Sequence, residues 1–469
     1  MRISLIEAKP TSYNGFEKFV IPRLGLPIMA AMLKKLGHDV KVYVHQLEGI
    51  WQHSLEISKS DLIGISTTTP SAPEAYDLAK WVRRANRVRK KQIPVVLGGP
   101  HVSYLPDEGL EHADFVVRGE GEHTMLELVR ALEDDGDFSR IRGLSYVEDD
   151  QIRHNPDRPL EPNLDNFAFA DLTLMAGHQK LKHLPIATSR GCPHDCNYCC
   201  VVSMFGRAYR RRSNQKIVSE LEEHLLPLGR RIFFVDDNFA GRPIAAKELL
   251  GMMKKRGLGK KMRWYTQVTV HAAKDEQLLD LMKDTNCTQV YVGLESINPA
   301  TLKEFNKKQS VDHIRHCVKM FHKKGIRVHG MFMLGSDEDD ADTIAATVEF
   351  AKKHDINTVQ FALLTPLPGT RTFDRLESEN RLFTREWGLY DAFHVVHEPA
   401  KMSMYELQKA AMEAWKHFYS VPSYMNAFMK FKLATGFLRF YGRKIVKKGR
   451  AELEEYLRKL MTLELQPQS

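Results

Sequence analysis

Ser189-Arg-Gly-Cys-Pro-His-Asp-Cys-Asn-Tyr-Cys-Cys200 is the stretch that decides how the rest of this 469-residue chain is read. Cys192, Cys196 and Cys199 follow the spacing C-x3-C-x2-C, and thiolates this close suit a metal cluster better than a set of disulfides. Pro193 after the first cysteine and Asn197-Tyr198 in the second gap bend the backbone around whatever the thiolates hold. A four-iron, four-sulfur cluster takes four ligands. The loop offers three well-spaced ones, because Cys200 cannot turn inward together with the adjacent Cys199; it reads as a buried neighbour. One iron is therefore expected to be open. The competing reading is a zinc loop, which needs four good ligands, usually in separated pairs, and would have to recruit His194 or His183.

The rest of the composition agrees with a reducing compartment. Four of the six cysteines lie in that loop, and Cys287 and Cys317 stand alone in regular segments, so there is no secreted disulfide framework. The length implies two or three domains, and 43% hydrophobic with 27% charged residues is the balance of a folded soluble protein. Met1-Arg-Ile-Ser-Leu-Ile reads as a first strand, not a leader, and no apolar run reaches the length of a membrane span. A cytoplasmic location is expected, with the inner face of the membrane as an option. The formal charge of +9 permits nucleic acid or an anionic membrane as partner. No nucleic acid is expected, since the basic residues are not interleaved with aromatics in a recognisable stacking module.

Upstream of the cysteine loop, apolar strands alternate with helices. Strands are read at Arg2–Ala8, Asp39–Val44, Leu62–Thr67, Pro94–Gly99 and Phe115–Gly119, and helices at Leu26–Gly37, Ala72–Arg84 and Glu122–Leu132. Continuous apolar strands separated by helices describe a doubly wound parallel sheet, Rossmann-like, covered on both faces. Ligands in such folds sit beyond the carboxyl ends of the strands. There the chain has Ser66-Thr67-Thr68, Gly98-Gly99-Pro100-His101 and Gly119-Glu120-Gly121. These small residues admit a bulky flat ligand and their hydroxyls can bond its polar edge. No G-x-G-x-x-G follows the first strand, so a nicotinamide or flavin nucleotide is not expected.

Past residue 135 a polar connection carries a small hairpin, Leu144–Val147 with Gln151–Arg153, and a turn-rich Pro156–Pro162. Leu164–Phe169 reads as domain docking or as a cover for a cofactor edge. A second α/β rhythm then sets in, with strands at His183–Thr188, Ile232–Asp236, Arg263–Val268, Gln289–Gly293, Val328–Leu334 and Thr358–Leu364. Six such steps make a partial (β/α)6 barrel; a full barrel needs eight. Polar residues gather at its strand ends, where barrel chemistry is placed: Asp236 and Asp237, Gln267, Gly293, Glu295 and Ser296. Helix capping is the plain alternative for the two aspartates. His329 alternates with apolar neighbours and is core or ligand.

From Glu386 the chain changes character. Trp387 to His397 clusters aromatic and histidine residues, and Tyr390 and His394 are candidates for positioning or proton transfer. Helical segments follow. Residues 424–450 combine large apolar side chains with Lys444, Lys447, Lys448 and Arg450, which suits peripheral association with an anionic membrane or packing on the barrel with snorkelled charges. The domains are thus expected at 1–135, 136–182 (linker), 183–385 and 386–469.

The C-x3-C-x2-C loop resembles that of the radical S-adenosylmethionine (radical SAM) enzymes. Leu24–Tyr43, Asp61–Thr69, Val95–His101 and Ala113–Glu122 resemble the cobalamin-binding domain found in front of many of them. The fold implied is an N-terminal cobalamin-binding sheet, a partial radical SAM barrel and a helical C-terminal region. The resemblance implies a [4Fe-4S] cluster on Cys192, Cys196 and Cys199 whose open iron chelates S-adenosyl-L-methionine, and a cobalamin. It also implies S-adenosylmethionine contacts from Glu295 and Ser296, with Gln267 and Arg207 behind them. The stretch Ala8–Asn14 lacks the D-x-H-x-x-G of methionine-synthase-type cobalamin domains, so no lower histidine ligand is expected, His101 being the nearby candidate. The activity implied is radical chemistry at an unactivated carbon: C-methylation of a lipid-like or natural-product small molecule, fed by an external donor such as a flavodoxin or ferredoxin. Cyclisation, oxidation and carbon–carbon coupling share this architecture, and a non-catalytic cofactor-binding or sensory protein is the rival of another class.

Overall fold

The computed structural model describes residues 1–12, 19–89, 92–134 and 136–465. Of the stretch after the first strand, Tyr13 and Asn14 lie outside the described residues, as does Asp135 at the expected first boundary. The chain divides into two compact units, one of residues 1–12, 19–191 and 200–232, the other of residues 192–199 and 233–465.

The first unit is built on a seven-stranded sheet of β1 (Arg2–Glu7), β2 (Asp39–Val44), β3 (Leu62–Ser66), β4 (Val95–Gly98), β5 (Phe115–Val117), β6 (Leu144–Glu148) and β7 (Gln151–His154), in the order β2-β1-β3-β4-β5-β6-β7. The first five strands are parallel. Their apolar runs are buried on both faces, as a sheet covered by helices requires. The hairpin expected in the linker is instead the antiparallel edge of this sheet: Phe115 faces Tyr146 and Val117 faces Leu144. Its outer strand is exposed throughout, which is why its sequence reads as a polar connection. A Cβ on Gly64 would stand 2.8 Å from the Leu5 side chain of the neighbouring strand, so the leucine would have to shift to admit one.

A second sheet holds six strands, β8 (Leu184–Ile186), β11 (Arg231–Phe234), β12 (Arg263–Val268), β13 (Cys287–Glu295), β14 (Arg327–Leu334) and β15 (Thr358–Leu363), in the order β15-β14-β13-β12-β11-β8. A two-stranded ribbon, β9 (Ser189–Arg190) with β10 (Arg210–Arg211), belongs to the first unit. Strands β12 to β15 pair in parallel, the partial-barrel pattern expected. The last part of the chain is helical, at Met404–Phe418, Val421–Met429 and Leu433–Leu465. Among the described residues no helix is long and apolar enough to cross a membrane.

Candidate active site

Cys192–Cys199 lies in the second unit, and its shape is set by the chain after β13. The Asn197 N–H donates to the Phe305 carbonyl at 3.3 Å, and the Asn197 side-chain amide donates to the Glu304 carbonyl at 2.7 Å. The Asn306 amide and the Arg371 guanidinium both donate to the Asp195 carbonyl at 2.7 Å. The Tyr198 ring packs edge-on against Phe305 at 5.0 Å. A loop tied at three of its residues presents its thiols in one arrangement, which suits a cluster that needs fixed ligands.

The electrostatics beside the thiols also fit such a group. Burial pushes the Cys192 and Cys196 thiols up, so without a partner they stay protonated. Lys307 acts against this. Its ammonium bonds the Glu295 carboxylate at 2.7 Å, with both side chains almost buried. Burial works against its charge, but Glu295, followed by Cys196 and Cys199, keeps its pKa above the ordinary lysine value. A buried cation next to three thiols favours thiolates and the negative charge of a thiolate-ligated cluster. Lys307 carried no signal in the sequence. Its role exists because β13 ends in a register shift between Gly293 and Glu295, and Glu295 turns to φ +59°. The carboxylate then folds over Gly293, where a Cβ would lie 2.5 Å from a Glu295 oxygen.

The two faces of the second sheet are sharply different. Trp264, Thr266 and Val268, then Val290, Val292 and Leu294, then Phe332 and Phe361 are fully buried. The alternate positions Gln267, Tyr291, Met331, Met333 and Gln360 are partly accessible. On this accessible face Phe233, Tyr265 and Tyr291 form an aromatic cluster, with ring centroids 4.9 Å apart for Phe233–Tyr265 and 5.7 Å for Phe233–Tyr291. His329 adjoins it, 4.8 Å from the Tyr291 ring. Its Nδ1 pairs with the Thr358 hydroxyl at 2.8 Å, its Nε2 has no hydrogen-bond partner among the described residues, and burial pulls its pKa down to about 4, so it is neutral.

At the carboxyl end of β11, Asp236 is buried and Asp237 is accessible to solvent. Burial by the surrounding protein and the charge of Asp236 nevertheless push the Asp237 carboxyl up to about 7. A group both accessible and densely surrounded lines a concavity. Neither aspartate caps the following helix, which begins at Pro243 after Arg242. Gln267 is on the accessible face, Gly293 is buried at the end of β13, and the Ser296 hydroxyl accepts the Asn298 N–H at 3.0 Å. Arg207 is exposed and belongs to the first unit.

In the first unit, Ser66, Thr68, Gly98, Gly99, Pro100, Gly119 and Gly121 are partly accessible at the strand ends, and Thr67 is buried. Gly99 (φ +101°) has to be glycine, since a Cβ would stand 2.3 Å from the Thr67 carbonyl. At Gly119 a Cβ would project into open space, so its absence leaves the rim clear for a large ligand. His101 is buried with Nδ1 3.4 Å from the Thr69 hydroxyl and Nε2 3.3 Å from Glu108. Both nitrogens are engaged, and the residues present fit a cobalamin held without a lower histidine.

Glu120 points inward. Its carboxylate accepts Arg190 at 3.0 Å, Arg210 at 2.8 and 2.9 Å and the Glu161 N–H at 3.0 Å, while Arg190 also bonds Glu122 at 2.5 Å. Arg190 further lies over the Phe167 ring at 4.6 Å, which gives the 164–169 segment a docking role. This network, which sequence reasoning did not find, anchors the ribbon that leads into Cys192.

Tyr390 and His394 are not on the accessible face. The Tyr390 hydroxyl donates to the Thr384 carbonyl at 2.7 Å and the side chain is buried. His394 is buried with Nδ1 2.9 Å from Asp391 and its ring edge-on to Tyr456 at 4.7 Å. Both hold the segment together.

The radical SAM superfamily model matches residues 186–351 and the B12 binding domain model matches residues 18–129. An uncharacterized methyltransferase of Pyrococcus horikoshii is 32% identical over 443 residues, covering 90% of this chain and 94% of that protein. The bacteriochlorophyllide d C-12(1)-methyltransferase of Chlorobaculum tepidum is 29% identical, covering 74% and 72%. In fold, the chain resembles the radical S-adenosylmethionine methyltransferase TsrM of Kitasatospora setae, with a TM-score of 0.69 at 20% identity over 81% of this chain and 78% of that one. The chain therefore belongs to the radical SAM enzymes with a cobalamin-binding domain, a catalytic family whose cofactors are a [4Fe-4S] cluster, S-adenosylmethionine and cobalamin.

Proposed function

We propose that this enzyme C-methylates an unactivated carbon of a hydrophobic, lipid-like or natural-product small molecule in the cytoplasm, with electrons from a donor such as a flavodoxin or ferredoxin. The observation that carries the reading is the agreement of the two relatives above, both named methyltransferases, along most of the chain. The accessible face of the second sheet supports the substrate class. Phe233, Tyr291, Met331 and Met333, backed by the buried Tyr265, offer an adaptable apolar surface, and Gln267 and Gln360 supply two amides for orientation.

When bound, the cluster and S-adenosylmethionine supply radical chemistry and cobalamin supplies a transferable methyl group. The chain's own residues do the rest. Cys192, Cys196 and Cys199 would hold the cluster, and Lys307 holds a positive charge beside them. Glu295, Ser296, Asp236, Asp237, Gln267, Gly293 and Arg207 are assigned to S-adenosylmethionine. Ser66, Thr67, Thr68, Gly98, Gly99, Pro100, His101, Gly119, Glu120 and Gly121 are assigned to the cobalamin site, with Glu120 shaping its rim from behind. Asp237, half protonated near neutral pH, can hold or release a proton at its carboxylate oxygen. Tyr390 and His394 act by positioning the segment that carries them.

Incubation of the reduced enzyme with methyl-deuterated S-adenosylmethionine and candidate substrates tests this. Label in the carbon skeleton of the product is expected, together with 5'-deoxyadenosine. Deoxyadenosine with unlabelled product would instead assign cyclisation, oxidation or coupling, and no deoxyadenosine under strong reduction would assign a binding protein.

A further inference from the structure

Between Val421 and Arg450 the chain has eight lysines and arginines and no aspartate or glutamate, so nearly the whole formal excess of +9 lies in these thirty residues. They form the helical hairpin of Val421–Met429 and the first half of Leu433–Leu465. One side of the hairpin is fixed to the second unit. Arg439, buried, donates to the Ile356 carbonyl at 2.7 Å, the Asn357 carbonyl at 3.0 Å and the Ser423 hydroxyl at 3.2 Å. Thr435 accepts the Asn357 amide at 2.9 Å, and Lys432 pairs with Asp355. The two helices cross closely, since a Cβ on Gly436 would stand 2.5 Å from the Phe428 ring.

Among the described residues the other side makes ring contacts only inside the hairpin, Phe437 with Phe428 at 5.2 Å and Phe440 with Tyr424 at 5.5 Å. Val421, Met425 and Met429 recur every fourth residue along the first helix, and Leu433, Phe437, Phe440 and Tyr441 share a face of the second; all are exposed. At the corner between them stands Phe431, 90% exposed and at φ +57°, a left-handed conformation that is costly for a bulky residue. Exposed Lys430, Lys444, Lys447 and Lys448 flank the apolar stripe. Large apolar side chains turned outward are costly in water, and positive charge beside them rules out a second copy as the natural cover, because two such faces would repel.

We propose that this hairpin docks the enzyme on the surface of an anionic bilayer, with Phe431 and Phe437 entering the headgroup–acyl boundary and the lysines on lipid phosphates. The arrangement is that of an interfacial amphipathic element, and it needs no spanning helix. It is independent of the substrate reading, because vesicle binding requires neither cofactor nor turnover.

Flotation of the full-length protein with phosphatidylcholine vesicles, alone or containing phosphatidylglycerol, decides the matter. Binding is expected to the anionic vesicles, weakened by salt, and to be slight on the neutral ones. Lys444→Gln with Lys447→Gln should weaken it about thirtyfold, from the attraction of each lysine to an anionic surface. Phe431→Ser with Phe437→Ser should weaken it at least tenfold; circular dichroism should be unchanged, and Phe431→Ser alone, at a side chain 90% exposed, should also melt like wild type while binding more weakly. Four results would overturn the proposal: no flotation of folded wild type, equal flotation on neutral vesicles, phenylalanine variants that bind like wild type, or binding to single-stranded RNA in place of vesicles. Loss of a dimer on Phe437→Ser without any vesicle binding would also overturn it.

Discussion

Replacing Glu120 by glutamine keeps the shape of the side chain and removes its charge. In the native chain that carboxylate, 5% exposed, receives two arginines, whose own side chains are 15% and 8% exposed, and one backbone N–H. Its pKa lies below the usual glutamate range: burial raises it, but the hydrogen bond from Arg210 and the charge of Arg190 more than compensate. Breaking a buried pair by removing one partner costs about 3 to 5 kcal/mol. Arg190 keeps Glu122, and Arg210 keeps the Glu161 carbonyl at 2.7 Å and the Phe205 carbonyl at 3.2 Å, so the lower end, ~3 kcal/mol, is expected. Denaturant unfolding at neutral pH reads this directly. A depressed folded-state pKa contributes stability that is present above the unfolded carboxylate value of about 4.3 and is lost as pH falls through the folded one. The gap between wild type and Glu120→Gln should therefore close in acid. Combining Glu120→Gln with Arg210→Met should recover part of the loss, with a coupling of about 1 to 3 kcal/mol. Equal stability of wild type and Glu120→Gln at neutral pH, or strict additivity in the double variant, refutes the reasoning.

Three further outcomes follow from other residues. Gly191→Ala, immediately before Cys192, should cost about 2 kcal/mol or more and lower the iron bound on reconstitution, since the residue is at φ +87° and a Cβ would stand 2.4 Å from the Ala208 carbonyl; melting and iron analysis check it. Lys307→Met removes the cation beside Cys196 and Cys199, so the midpoint potential of the reconstituted cluster should move to more negative values, and an unchanged potential in redox titration would contradict the assignment. His329 has its pKa lowered to about 4 by burial, so the unfolded chain binds a proton that the folded chain refuses as pH falls from about 6.5 towards 4. Its contribution to acid destabilisation is roughly 3 kcal/mol, and His329→Gln should flatten the fall of Tm across that window.

The parts that were legible in the amino-acid sequence are those set by local periodicity. The six strands of the second sheet are where their apolar residues place them, because one face of each strand is buried and its residues recur at every second position. The β6–β7 hairpin lies where its residues place it, but its pairing with β5 is not legible, because only Leu144, Ser145 and Tyr146 turn inward and its outer strand is solvated. Lys307 and the Glu120–Arg190–Arg210 network were hidden for a different reason. Each joins residues far apart in the chain, and Lys307 depends on an irregular strand end that no propensity signals. Tyr390 and His394 have the chemistry of catalytic groups, but their environment is set by Thr384, Asp391 and Tyr456, which the local pattern does not reveal.

The central claim is that Cys192, Cys196 and Cys199 hold a four-iron cluster. Iron and sulfide analysis after anaerobic reconstitution tests it most directly, on wild type, the Cys192→Ala/Cys196→Ala/Cys199→Ala variant and Cys200→Ser. About four irons and four sulfides per chain are expected in wild type and in Cys200→Ser, and none in the triple variant. Zinc in their place, or iron that survives the triple substitution, would contradict it.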